Sequence, residues 1–182
     1  MSHEFVANRL DLKSFASAAG LLSGHESLSI YPRLMEEVGM QGTGRQLVWQ
    51  ARGELRVGGK GFSQVWLYLT ATVSLPLICQ RCLGPADVAV SFDRSFRFVA
   101  TEEQAEVEDE DAEEEVLALR RDFNLRELIE DELLMALPVV PRHDACPTEA
   151  KTHAQDPDFD AESLAKPNPF AVLVKLQSRK SS

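Results

Sequence analysis

The residues best suited to chemistry in this 182-residue chain are two short pairs, Cys79-Gln-Arg-Cys82 and His143-Asp-Ala-Cys146. Zinc takes four nitrogen or sulfur donors in a tetrahedron, and two residues between donors let both side chains turn onto one ion. Cys79, Cys82, His143 and Cys146 make that count and would close a structural site, with no position left for a catalytic water. An ion there would staple the end of a strand to the segment that follows a helix, in place of core that loops cannot supply. Two other readings use the same residues: reduced, partly buried thiols beside an unrelated histidine, or a redox pair. The redox pair calls for a helix start after a strand, to lower a thiol pKa, whereas Cys82 is followed by Leu-Gly-Pro and a predicted strand.

A second group could touch nucleic acid. Arg52, Arg56 and Lys60 share a parity on one predicted strand and its turn, and Trp66 and Tyr68 share the outward parity on the next. Cations beside exposed aromatics are what stacking on single-stranded RNA uses. An ordinary half-solvated sheet face, or one covered by a helix, has the same composition. A third group, Glu127, Glu130, Asp131 and Glu132, makes much of a predicted helix surface acidic and reads as a solvated or protein-docking face. No serine, histidine or glycine-rich loop adjoins it to complete a catalytic constellation. The chain has no phosphate-binding loop, dinucleotide fingerprint, His-Glu-x-x-His or nucleophile elbow, so no enzymatic activity is expected.

The elements that must position these groups follow from periodicity. Odd residues from Leu47 to Val57 and from Val65 to Leu77 are mostly apolar and even ones mostly polar, which predicts two half-buried strands joined by the Gly58-Gly59-Lys60-Gly61 turn. A third strand places Val88, Val90, Phe92, Phe96 and Phe98 on one face. Asp11 to Leu22 reads as a short helix with Asp11 as N-cap, and Pro32 to Gly44 as a loop. Asn124 opens a longer helix in a pattern like a capping box with Glu127, and Pro138 and Pro141 end it. Residues 142–167 read as mostly irregular, and a short C-terminal helix is expected from Asn168. The fold class is therefore α+β: an antiparallel β-meander, or partly open barrel-like sheet, packed by one long helix, with short N- and C-terminal helices, in a single domain over 1–182.

Composition bounds the rest. Hydrophobic residues at 44% and charged residues at 26% are the balance of an ordinary globular protein. The net charge of -10 argues at first against nucleic acid. Ten of the 29 acidic residues lie between Thr101 and Val116, however, leaving 19 acidic against 19 basic elsewhere. That stretch, 101–116, reads as a disordered, solvated loop. Three cysteines are too few and too odd in number for a secreted disulfide framework, and no apolar run approaches a membrane span. A cytoplasmic location, no membrane contact and no small-molecule substrate are expected.

Three stretches taken together resemble the YceD family, the large ribosomal RNA subunit accumulation proteins. They are Leu77-Ile-Cys-Gln-Arg-Cys-Leu-Gly-Pro, the run from Leu125 through Leu-Pro-Val-Val-Pro-Arg to His143, and Lys166-Pro-Asn-Pro-Phe-Ala-Val-Leu. The resemblance implies a role in synthesis, processing or stability of large-subunit (23S) ribosomal RNA, as a non-catalytic ribosome-biogenesis factor. It implies a large-subunit RNA precursor or pre-large-subunit particle as partner. It also carries Cys79, Cys82, His143 and Cys146 over as candidate zinc ligands, and Glu130, Asp131 and Glu132 as a docking surface. An acidic adaptor that binds a ribosomal protein or a processing nuclease, without direct RNA contact, is the alternative.

Overall fold

The computed structural model describes residues 5–58 and 63–147, all within the unit Met1–Thr148. In chain order these form α1 (Leu12–Ser17), β1 (Leu21–Ser27), α2 (Pro32–Val38), β2 (Gln46–Val57), β3 (Ser63–Ile78), β4 (Pro85–Val99), α3 (Glu102–Asp109), β5 (Glu115–Ala118) and α4 (Leu125–Met135). The five strands make one sheet in the order β1-β2-β3-β4-β5. The first four are antiparallel neighbours, while β5 runs parallel to β4, so the sheet is mixed and is not closed. Lys60, most of the segment 142–167 expected to be irregular and the helix expected from Asn168 lie outside the described residues, as does part of the expected single domain.

Alternation decides which face is core. On β3 the odd residues from Val65 to Leu77 are buried, and Leu47, Trp49 and Ala51 of β2 and Val90, Phe96 and Phe98 of β4 join them. Phe15 of α1, Leu34 of α2 and Leu125, Ile129 and Leu133 of α4 seal that layer. Each buried side chain of this size contributes roughly 1.5–3 kcal/mol. A Cβ on Gly53 would meet Phe15 Cδ1 at 2.6 Å and Ala16 Cα at 3.0 Å. Only glycine lets α1 lie this close to the sheet.

Four expectations need correction. The first helix ends at Ser17, and Leu21 and Leu22 open strand β1. Pro32 to Gly44 is not a loop: Pro32 starts α2 and Leu34 and Val38 bury on one side. Its N-terminus is satisfied from a distance, because Glu130 Oε1 accepts from the Arg33 and Leu34 backbone N–H groups at 2.7 and 3.1 Å. The acidic run is not a disordered loop, since it contains α3 and β5, with Thr101 capping α3 through the Gln104 N–H at 3.2 Å. The single long helix is one of four α-helices among the described residues. It begins where expected, with Asn124 Oδ1 accepting from the Arg126 N–H at 3.2 Å.

Candidate functional site

The two pairs of donors meet where β3 hands over to β4. Residues 79–84 fold into a tight knuckle: the Cys79 N–H donates to the Gly84 carbonyl at 2.9 Å, and the Leu83 N–H returns to the Cys79 carbonyl at 2.8 Å. Closing so short a turn puts Leu83 at φ +60°, a left-handed conformation that costs a β-carbon about 1 kcal/mol. The Gln80 N–H donates to the Pro141 carbonyl at 2.8 Å, which brings the segment after α4 alongside. Cys79, Cys82, His143 and Cys146 then place their donor atoms within 4.8 Å of one another.

The spacing fits zinc. Tetrahedral bonds of about 2.3 Å to sulfur and about 2.0 Å to nitrogen separate two sulfurs by about 3.8 Å and a sulfur from a nitrogen by about 3.5 Å. Cys79 Sγ lies 3.7 Å from Cys146 Sγ, and Cys82 Sγ lies 3.5 Å from His143 Nδ1. The imidazole is oriented for ligation: its Nε2 is 2.9 Å from the Pro85 carbonyl, which can only accept, so the proton sits there and the Nδ1 lone pair faces the sulfurs. The Arg81 Nε–H donates to Cys146 Sγ at 2.9 Å. Three thiolates around a divalent ion carry one excess negative charge, which Arg81 offsets.

The electrostatics of the knuckle agree. Burial opposes ionisation of Cys79, but the backbone amides of Cys82, His143 and Arg81 bring its thiol down to about 5. The Gly84 amide favours the Cys82 thiolate, yet burial and the neighbouring sulfurs push Cys82 up. The facing Cys146 and Cys79 raise His143. No helix follows Cys82, so the geometry expected of a redox pair is missing.

The second group lies on the opposite face of the sheet from the core. The Arg52 guanidinium sits 4.0 Å over the Tyr68 ring, and that of Arg56 lies 4.7 Å from the Trp66 ring and 5.2 Å from the Tyr68 ring. Trp66 and Tyr68 stack at 6.4 Å. Glu54 accepts from both arginines, from Arg52 Nη1 at 2.8 Å and Arg56 Nε at 3.2 Å, and they hold its carboxyl below the usual range. Trp66 Nε1 and Tyr68 Oη are shielded from solvent without a hydrogen-bond partner among the described residues.

The acidic helix face is not one surface. Glu130 is 4% exposed and is spent on α2, and Glu132 is 1% exposed, with Arg94 Nε 3.4 Å from its Oε2. Only Glu127 and Asp131 of the four face outward, and Asp131 pairs with Arg33. Glu130 and Glu132 are thus buried, and Glu127 and Asp131 carry the exposed part of the expected docking face. Three participants gave no sequence signal of their role: Arg81 and the Pro85 carbonyl at the knuckle, and Arg97, buried on the outer face between Glu108 and Glu114. Pro85 was recoverable only as the end of the Leu-Gly-Pro turn.

Among the described residues no helix is long and apolar enough to cross a membrane. No solved structure gives a significant match. The large ribosomal RNA subunit accumulation protein YceD of Haemophilus influenzae is 34% identical over 108 residues, covering 59% of this chain and 62% of that protein. The chain thus matches under two thirds of that relative's length. The profile of the family described as large ribosomal RNA subunit accumulation protein YceD matches residues 67–177, a span that contains Cys79, Cys82, His143 and Cys146 together with α4. With more than half its length inside that profile, the chain belongs to the YceD family.

Proposed function

We propose that this protein is a non-catalytic factor in the synthesis, processing or stability of large-subunit ribosomal RNA, and that it touches that RNA through the outer face of β2 and β3. Family membership supports the pathway, and the observation that carries the contact is the row of Arg52 over Tyr68 and Arg56 over Trp66. Aromatic rings on a sheet stack with bases irrespective of sequence, and guanidinium groups pair with phosphate. The shielded Trp66 Nε1 and Tyr68 Oη favour such a rearrangement: arginines drawn away to phosphate would open both to a partner they now lack.

Cys79, Cys82, His143 and Cys146 would hold a zinc ion in a structural role, which would fix the β3–β4 turn to the segment after α4. It supplies crosslinking and charge neutralisation. Sedimentation tests the pathway: the protein should travel with large-subunit precursors, and its loss should lower mature RNA of that subunit. Arg52→Ala with Arg56→Ala should weaken binding to single-stranded RNA about tenfold or more while leaving melting nearly unchanged. Unchanged affinity would refute the contact. An adaptor reading is favoured by the exposed carboxylates of α3, which could engage a basic ribosomal protein. Partners captured equally before and after nuclease treatment would select that reading.

A further inference from the structure

The acidic segment and the basic face are not separate features. Arg97 on β4 pairs in register with Trp66 on β3, so it continues the row of Arg52, Arg56, Trp66 and Tyr68 across the sheet. Opposite residues on neighbouring strands have side chains about 5 Å apart, so one phosphate backbone could follow all of them. Arg97 is nevertheless 8% exposed. Glu108 of α3 pairs with its Nη1, and Glu114 accepts from its Nε at 2.6 Å. Two carboxylates thus occupy the guanidinium edge that a phosphate would take, at comparable spacing.

The attachment of α3 is also light. Its apolar contact is a small cluster of Ala105 with Val99 and Val116, separate from the main core. What remains is polar: the Arg97 pairs, the exposed Arg120–Glu102 pair at 2.9 Å, the 3.4 Å bond from the Ala100 N–H to Gln104 Oε1, and the 2.9 Å bond from the Val116 N–H of β5 to Asp109 Oδ1. Little apolar area has to be exposed to free it, so local opening of α3 costs far less than global unfolding.

We propose that the segment from α3 to Glu114 is a built-in competitor for RNA, holding Arg97 through Glu108 of α3 and through Glu114 just before β5, and lifting away as far as Glu114 when a phosphate backbone takes the whole Arg52–Arg56–Arg97 row. This rests on the RNA reading given above. β5 stays in the sheet, since its pairing to β4 does not involve the Arg97 side chain.

The test uses the full-length protein and a labelled single-stranded RNA of mixed sequence at fixed salt. Glu108→Gln with Glu114→Gln should bind about tenfold tighter than the unaltered protein, the size of an ordinary coupling between sites. Glu103→Gln with Glu106→Gln removes the same charge away from Arg97 and should change affinity less than about twofold, because exposed charges are screened. On the unaltered protein, backbone amides of 102–109 should exchange hydrogen faster when RNA is bound, a readout that needs no variant to fold. Equal tightening by both pairs, or no tightening by either with protection of 102–109 unmoved, overturns the competitor while leaving the RNA face standing if Arg52→Ala with Arg56→Ala still loses affinity. Absence of RNA binding in the unaltered protein and in every variant overturns both readings.

Discussion

The two candidate sites lie on one strand, roughly 40 Å apart along β3, and they differ in how their charges are balanced. At the Cys79 end the four donors converge on one another, and among the described residues only Arg81 and the backbone offset their charge. At the Trp66 end each cation already has a carboxylate: Glu54 serves Arg52 and Arg56, and Glu108 and Glu114 serve Arg97. The first arrangement is one that could hold a metal ion; the second is balanced within the chain and, on the proposal above, exchanges one partner for another. The first is architecture and the second is exchange.

Removing the ion breaks the comparison most severely. Chelation, or Cys82→Ser, should lower stability by several kcal/mol, about 10 °C or more in melting temperature for a chain this size. Melting that ignores both would mean that the knuckle holds itself together without metal. The next effect extends the comparison to Glu132, a buried carboxyl whose ion pair to Arg94 is long at 3.4 Å. Burial first and the Glu115 charge second hold Glu132 above the ordinary 4.5, while burial raises Glu115 against the pull of Arg94. A carboxyl raised in the folded state is stabilising when protonated, so stability should climb as pH falls from neutral through the raised value and decline as pH rises. Glu132→Gln should therefore raise melting at neutral pH by about 2–5 °C and flatten its dependence on pH above the ordinary carboxyl range. An unchanged pH profile contradicts this.

Smaller effects sharpen the contrast. Glu54→Gln frees Arg52 and Arg56 from their internal partner and should tighten RNA binding about two- to threefold with little change in melting, since exposed pairs contribute little. A large loss of stability would show that the pair is structural after all. At the knuckle, Leu83→Gly relieves the left-handed backbone and should stabilise by about 0.5–1 kcal/mol without altering metal content. A destabilised Leu83→Gly would show that the exposed leucine side chain contributes more than its strain costs.

Legibility in the sequence followed the range of the interactions. The long strands β2, β3 and β4 and the core side of each were readable because alternation is a local signal. So was α4, opened by Asn124 and closed by prolines. The metal quartet was readable as a donor count, though not the Pro85 carbonyl that orients His143. Helix α2 was hidden because its cap comes from Glu130, about a hundred positions away, which also removed Glu130 from the predicted docking face. Strand β1 was hidden because an edge strand with burial on one side only needs little apolar patterning: Ser23, Gly24 and His25 carry none. The acidic run looked unstructured since its order depends on Arg97 and Val99 of β4, which lie outside it.

Crosslinking of RNA to the protein in living cells, with the attached peptides identified, tests most directly which end of β3 meets RNA. The account predicts fragments of large-subunit RNA precursor attached to residues 46–57 and 63–74. Crosslinks confined to the knuckle and its 141–147 partner segment, or carrying no large-subunit RNA, would contradict it.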